Sequence, residues 1–431
     1  MADSVRSNSL SSYLVAEPAA ATGHDDAVDH ILDAVRQHLG MEIAFASRIA
    51  DGRRHFTHIR ADFPVPAAPG DSEPLEDTFC QRILEGRLPE LIHHAPDHEA
   101  AHEVALTAAL PIGSHLNVPL RLSDGKLYGT FCCLSRHSDR SLTERDLNTL
   151  RAFADLAAVQ IETELKNSRA HAAAVERITG AIAHGQPAIV LQPIHRLDSN
   201  APVGVEALAR FRDSGHRSPS AWFNEAAGVG LAVDLELAAV NAAIQSLPYV
   251  PEPAYLAVNL SPAVAISGPL EALVDAAPAD RLVLEITEHA EVEDYTALKR
   301  ALDPLRGKVR IAIDDVGAGY SGLRHILVLE PDILKLDMSL TRDVDRDSAR
   351  RALIHAMVEF ARDIGCTIVA EGVESDGERA ALRHLGVDYA QGWHYSRPLP
   401  PVAAQQYLLG VQTQSDSRKT IAPARRRSAA T

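Results

Sequence analysis

VRIAIDDVG, residues 309–317, is an apolar run broken by one arginine that gives way to two aspartates, with a valine and a glycine after them. Such a run reads as a buried strand whose last residues emerge at a polar edge. Six more segments share this pattern: VEAL (205–208), AVNLS (257–261), LEITE (284–288), LKLDMS (334–339), VAEGVE (369–374) and YAQGW (389–393). Stacked in parallel, these strands place their carboxyl ends on one rim. That rim gathers Glu206, Asn259, Glu285, Asp314, Asp315, Lys335, Glu371 and Gln391. So many acids repel one another unless a cation sits among them, so the pattern points to a metal-dependent site.

Around these segments, strands and helices alternate from Ile189 to about Leu409. The remaining strand candidate is IVLQPI (189–194), and helical stretches such as LELAAVNAAIQSL and SARRALIHAMVEFARDIG lie between strands. About eight strands with interleaved helices predict an α/β barrel of the TIM type, in which polar residues at the C-terminal strand ends belong to an active site. Upstream, DDAVDHILDAVRQHLG (25–40) has helical spacing and ends on Gly40. LNVPLRLSDGKLYGTFCCLS reads as two strands joined across Ser123-Asp124-Gly125. The first domain is therefore expected to be α+β, an antiparallel sheet with helices. The long helical stretch after Ser141 reads either as two successive helices or as one rod that pairs with its copy in a dimer.

Bulk properties narrow the function. A chain of 431 residues is too long for one ordinary core. Its formal charge of −16 argues against a nucleic acid polymer or an anionic membrane as partner. Four cysteines without a CxxC pair fit a reducing cytoplasm, and neither a signal peptide nor a membrane span is read in the sequence.

In order, EALAR (206–210), NLSP (259–262), EITE (285–288), DDVGAGYS (314–321), KLD (335–337), AEGVE (370–374) and QG (391–392) resemble the EAL family of cyclic di-GMP phosphodiesterases over roughly residues 172–410. The resemblance implies hydrolysis of cyclic di-GMP to linear pGpG with two Mg²⁺ or Mn²⁺ ions. It implies that Glu206, Asn259, Glu285 and Asp314 coordinate one ion and that Asp315 helps to bind the second. By the same resemblance Lys335 holds the attacking water, Glu371 is a second-sphere base or metal ligand, Gln391 orients water or phosphate, and Arg210 steadies a substrate phosphate. Glu288 matches a glutamate that pins the loop after the double aspartate. That loop carries Val316, Gly317, Ala318 and Gly319, where the family pattern is DDFGTGYSS, so an aromatic and a hydroxyl are replaced. A lost hydroxyl removes a hydrogen bond worth about 1 kcal/mol. The altered loop motivates an alternative: a catalytically weak or silent EAL domain acting as a cyclic di-GMP receptor or protein-interaction module. Asp337 reads as a partner of Lys335 or a cap on the next helix, and Glu374 as structural. A homodimer is also implied.

Residues 24–165 resemble a GAF sensor domain through the opening helix, FCQRILEG (79–86), NVPLRLSDGKLYGTFCCL (117–134) and the closing helix. The resemblance does not choose a ligand. His93, His94, His98 and His102 form a cluster in which His98 and His102 are expected to share a helix face. Cys80, Cys132 and Cys133 are oxidant-sensing candidates if exposed and of lowered pKa, buried thiols being the commoner case. The expected division is a loose tail (1–23), the GAF domain (24–165), a helical linker (166–183), the EAL domain (184–410) and a loose basic tail (411–431).

Overall fold

The computed structural model describes residues 26–102, 104, 111–212, 217–268, 270–275, 278–287, 294–317 and 322–419. Two compact units result, Met1–Ala170 and His171–Thr431.

The first unit is built on a six-stranded antiparallel sheet: β1 (Ile43–Ala50), β2 (Arg53–Ala61), β3 (Ser72–Pro74), β4 (Leu91–Ile92), β5 (Ser114–Arg121) and β6 (Leu127–Ser135), in the order β3-β2-β1-β6-β5-β4. The hairpin expected at Ser123-Asp124-Gly125 joins β5 to β6, with Gly125 in the left-handed region at φ 80°. Helix α1 (Asp26–Leu39) buries Val28, Leu32, Val35 and Leu39 on one stripe. It ends at Gly40 (φ 65°), where Met41 N–H donates to Arg36 O at 2.9 Å. One sheet face joins α1 in a core with Leu116, Val118, Phe131 and Cys133. The other carries Ile43, Phe45, Cys132 and Leu134 against Cys80. Strand alternation thus sends Cys132 and Cys133 to opposite faces.

A single helix, α2 (Glu144–Ala183), takes the place of the two that one reading of its sequence allowed. Forty residues make it about 60 Å long. Thr143 opens it, its N–H and hydroxyl both donating to Asp146 Oδ2 at 2.8 Å. Within the first unit it buries Leu147, Leu150, Phe153 and Ile161; within the second, Ile178 and Ala181 pack with Trp222, Ala226 and Leu235.

The second unit is a closed eight-stranded barrel. Its strands are β7 (Ala188–Arg196), β8 (Pro202–Arg210), β9 (Tyr255–Leu260), β10 (Leu282–Thr287), β11 (Arg310–Val316), β12 (Ile333–Leu336), β13 (Thr367–Ala370) and β14 (Tyr389–Gln391). All neighbours are parallel except β7, which runs antiparallel to β8 and β14. The wholly parallel stacking expected from the sequence is corrected there, because only five residues link β7 to β8 and no crossover helix fits. Outward positions such as Leu256, Val258, Leu284, Ile286, Ile311, Ile313, Leu334 and Ile368 share a core with the surrounding helices. Burying each such side chain contributes about 1.5–3 kcal/mol. Inward positions Ile194, Tyr255, Ala257, Val283, Ala312, Ile333 and Val369 fill the barrel centre.

Helix Pro401–Lys419 continues past residue 410, where the loose tail was expected to begin, since Val411–Lys419 contains neither Gly nor Pro. The expected tail at 1–23 and residues 420–431 lie outside the described residues. No helix among those described is long and apolar enough to cross a membrane.

At the end of β14 the chain turns at Gly392 against the backbone of Val373. A Cβ there would lie 2.1 Å from Val373 O and 2.3 Å from Val373 N. Gly392→Ala is expected to destabilise the barrel by about 1–3 kcal/mol, seen as a lower barrel transition temperature in calorimetry. An unchanged transition would show that this close approach is unimportant.

Candidate active site

Period-two alternation builds the site. Counting up each strand from the packed centre, Ala257 is followed by Asn259, Val283 by Glu285, Ala312 by Asp314, Ile333 by Lys335 and Val369 by Glu371. Gln391 on β14 reaches Gln192 on β7, its Nε2 donating to Gln192 Oε1 at 3.2 Å, and Glu206 on β8 pairs in register with Gln192. Apolar partners on the intervening positions pin each strand, so the polar ends project together from the C-terminal mouth.

At the centre is Lys335, only 1% exposed. Its Nζ lies 2.6 Å from Glu371 Oε1, 2.9 Å from Glu285 Oε2, 2.9 Å from Asp314 Oδ1 and 3.6 Å from Glu206 Oε2. Amides hold both oxygens of Glu206: Asn259 Nδ2 donates to Oε1 at 2.9 Å and Gln391 Nε2 to Oε2 at 2.6 Å. Asp315 would point away in a regular strand. Instead its φ is 57° and the β11–β12 register breaks between Ile313 and Val316, so carboxylate oxygens of Asp314, Asp315 and Glu371 lie within 4.8 Å of one another. Glu206, Glu285 and Asp314 form a second such triad.

Burial dominates the electrostatics. It works against the Lys335 ammonium, yet Asp314, Glu206, Glu285 and Glu371 outweigh it and hold the group well above the ordinary lysine range. Burial pushes Glu285 well above the usual carboxylate range, opposed by Lys335 and reinforced by Glu206 and Asp314. Glu371 is pushed up to about 8 by burial, again opposed by Lys335 and reinforced by Asp314 and Glu206. One ammonium is therefore too little charge for these acids. The donor set fits divalent cations: its groups are carboxylate and amide oxygens, the two triads share Asp314, and Gln391 Oε1 is a buried acceptor without a hydrogen-bond partner.

The remaining expected residues fall as follows. Arg210 is exposed at the end of β8, its Nη1 donating to Ala209 O at 2.7 Å, and lines a groove of about 500 Å³ that also includes Asn259, Phe223 and Glu236. Val316 is buried in the outer core. Gly317 has φ 107°, and a Cβ there would meet Leu340 Cδ1 at 2.3 Å. Glu288, Ala318 and Gly319 lie outside the described residues. Asp337 caps a short helix by accepting from Ser339 N–H at 2.9 Å, and Glu374 pairs with Arg342. The histidine cluster does not assemble as expected. His98 precedes the short helix Glu99–His102 rather than sharing it, His93 Nε2 contacts Leu142 O, and His102 Nε2 contacts Pro96 O.

Two site residues were not read in the sequence. Gln192 binds Gln391 at 3.2 Å and donates to Ser396 O at 3.2 Å; its signal is a lone amide inside the apolar IVLQPI. Glu236 accepts from Ser261 N–H and from Ser261 Oγ at 2.7 Å, fixing the residue two after Asn259; its signal is a single acid within LELAAV.

A barrel with an acidic, amide-braced mouth defines the class of the second unit as a TIM-type barrel with a site suited to metal. The chain belongs to the EAL domain family, which matches residues 175–398, more than half its length, and residues 21–162 match the GAF domain. It is 29% identical over 281 residues to an uncharacterized protein of Azorhizobium caulinodans, a match covering 61% of this chain and 38% of that one. It is also 29% identical over 230 residues to the probable cyclic di-GMP phosphodiesterase PdeD of Escherichia coli, covering 51% of this chain and 43% of that one. The chain thus spans less than half the length of either relative. The EAL enzyme Bd1971, solved with cAMP and cyclic di-GMP bound, shares the fold at 17% identity, TM-score 0.52, over 85% of this chain and 93% of that one.

Mg²⁺ or Mn²⁺ is expected to raise the barrel's melting temperature, a cation at a hundred times its Kd adding about 2.7 kcal/mol. Asp314→Asn, which touches both triads, should abolish most of that shift. No stabilisation by either ion would count against a cation site here.

Proposed function

We propose that the barrel unit hydrolyses cyclic di-GMP to linear pGpG with two divalent cations, Mg²⁺ or Mn²⁺, and that the GAF unit regulates it. The observation that carries this reading is the pair of carboxylate triads sharing Asp314 at the barrel mouth of an EAL family chain. Likeness to a probable cyclic di-GMP phosphodiesterase supports the substrate.

Glu206, Asn259, Glu285 and Asp314 would hold one cation, and Asp315, Asp314 and Glu371 the other. When bound, such ions supply a water acidified toward neutral pH and charge to offset the phosphate. Every other task belongs to side chains. Arg210, at the end of the groove, binds a non-bridging oxygen of the scissile phosphate and orients it. Lys335 Nζ, 2.6 Å from Glu371 Oε1, holds the attacking water and that carboxylate in line. Glu371, ionised when the cations are bound, accepts the water's proton. The water oxygen bonds to phosphorus, one ester P–O bond breaks, and the departing ribose oxygen takes up a proton. Gln391 and Asn259 keep Glu206 in position, and Gln192 and Glu236 hold Gln391 and the Ser261 turn behind them.

Incubating the full chain with cyclic di-GMP and Mg²⁺ or Mn²⁺ should yield pGpG, resolved by chromatography. Glu206→Ala should remove detectable turnover, and Glu371→Gln should lower kcat by about 10²–10⁴-fold with little change in KM. Tight binding of cyclic di-GMP without turnover under either metal would instead establish a receptor.

A further inference from the structure

The GAF unit contains a second charged cluster, unrelated to the barrel site and made of sulfur. Cys80 and Cys132 are both fully buried, with their Sγ atoms 4.0 Å apart. Three donors converge on Cys80 Sγ: Arg54 Nη1 at 3.0 Å, Thr130 Oγ1 at 3.1 Å and Asn117 Nδ2 at 3.3 Å. A neutral thiol has little use for three donors, one of them a guanidinium; a thiolate satisfies them all. Burial opposes that charge, but the hydrogen bond with Cys132 and the Arg54 charge outweigh it, holding the Cys80 thiol well below its ordinary range.

Arg54 also connects the sulfur to a cavity. It is 2% exposed, its guanidinium lies 4.6 Å from the Phe56 ring centroid, and it forms part of the wall of a cavity of about 330 Å³ with Phe45, Phe56 and Leu134. One Nη pairs with Glu73 and the other touches Cys80, while Nε is buried with no hydrogen-bond partner. A molecule small enough to enter the cavity is thus one side chain away from the thiolate.

We propose that Cys80 is a site of oxidation by hydroperoxides and that Cys132 resolves the product into a Cys80–Cys132 disulfide. The Cys80 thiolate attacks one peroxide oxygen; an S–O bond forms, the O–O bond breaks, sulfur gives up two electrons, and the departing oxygen leaves as hydroxide or alkoxide and is protonated. Cys132 sulfur then attacks Cys80 sulfur, the S–O bond breaks, and the hydroxyl leaves as water with the Cys132 proton. Burial, the hydrogen bond with Cys80 and its negative charge together keep the Cys132 thiol protonated beforehand. Sulfenic acid formation removes that charge, so the second thiol becomes easier to ionise only after the first has reacted. Cys133, next in sequence, faces the opposite side of the sheet in an apolar core, where burial pushes its thiol up, and takes no part.

The test uses the full chain, reduced, freed of reductant, exposed to hydrogen peroxide, quenched by alkylation and mapped by non-reducing peptide mass spectrometry. The expected first product is a cross-linked Cys80–Cys132 peptide, leaving Cys133 and Cys366 of the four free cysteines open to alkylation after unfolding. Cys132→Ser should stop the reaction at a Cys80 sulfenic acid that dimedone tags, Cys133→Ser should leave the rate unchanged, and Arg54→Met should slow it by roughly tenfold or more. Oxidation of Cys133 or Cys366 before Cys80, or a Cys80 that stays reduced throughout, would overturn the proposal. The map of the unaltered chain alone decides this, whether or not a variant folds.

Discussion

Removing a carboxylate from water costs several kcal/mol even after the surroundings relax, and the barrel mouth does this with Glu206, Glu285 and Asp314 around one ammonium, Lys335. Much of the second unit follows from that cost. Lys335 must be inward on β12, so Leu334 and Leu336 must be outward, and the register of β12 against its neighbours is fixed. Asn259 and Gln391 must be amides because they donate to a carboxylate without adding charge. Even then the charge does not balance. Burial drives Glu285 and Glu371 toward their protonated forms, and a further cation would reverse this by stabilising their ionised forms. The cluster is thus complete as a scaffold and incomplete as an electrostatic unit.

The positions of these residues were readable because each apolar run ends where the barrel interior meets solvent. VRIAIDDVG shows both the strand and its polar end, and hydrophobic alternation sends Asp314 and Glu285 to the same inner face of the barrel. What was not readable concerns features without a local signature. The direction of β7 depends on the shortness of its link to β8, which an apolar run such as IVLQPI does not encode. Gln192 and Glu236 are single polar residues in apolar surroundings, and a lone polar residue is as compatible with a surface position as with a brace. The helical spacing of His98 and His102 was real in sequence but broken in structure, because the backbone at His98 is extended, at φ −111° and ψ 118°. The continuity of α2 was equally hidden, since Ala-rich sequence supports one long helix or two.

In each unit a cation is buried among anionic partners, Lys335 in one and Arg54 in the other, and the partners decide the chemistry. Around Lys335 they are oxygens, hard and numerous, a donor set suited to a divalent cation. Around Arg54 they include a sulfur, soft and polarizable, where a neighbouring guanidinium favours a nucleophilic thiolate. Arg suits the second place because its planar fork reaches Glu73 and Cys80 at once. Lys suits the first because a compact ammonium with three donors can sit within reach of four carboxylates.

Two doublets in the sequence show how finely the backbone controls this. Cys132-Cys133 lies in a regular stretch of β6, so its thiols go to opposite faces: one joins Cys80 and the other is sealed in an apolar core. Asp314-Asp315 lies where β11 breaks register and Asp315 takes a left-handed backbone, so both carboxylates reach the same mouth. A non-glycine residue at φ 57° carries a conformational cost of order 1–3 kcal/mol. A break in alternation is what brings two consecutive acids to one side of a sheet. The strain at Asp315 is therefore tied to the second carboxylate triad, and a regular strand at that position would leave the mouth with one triad instead of two.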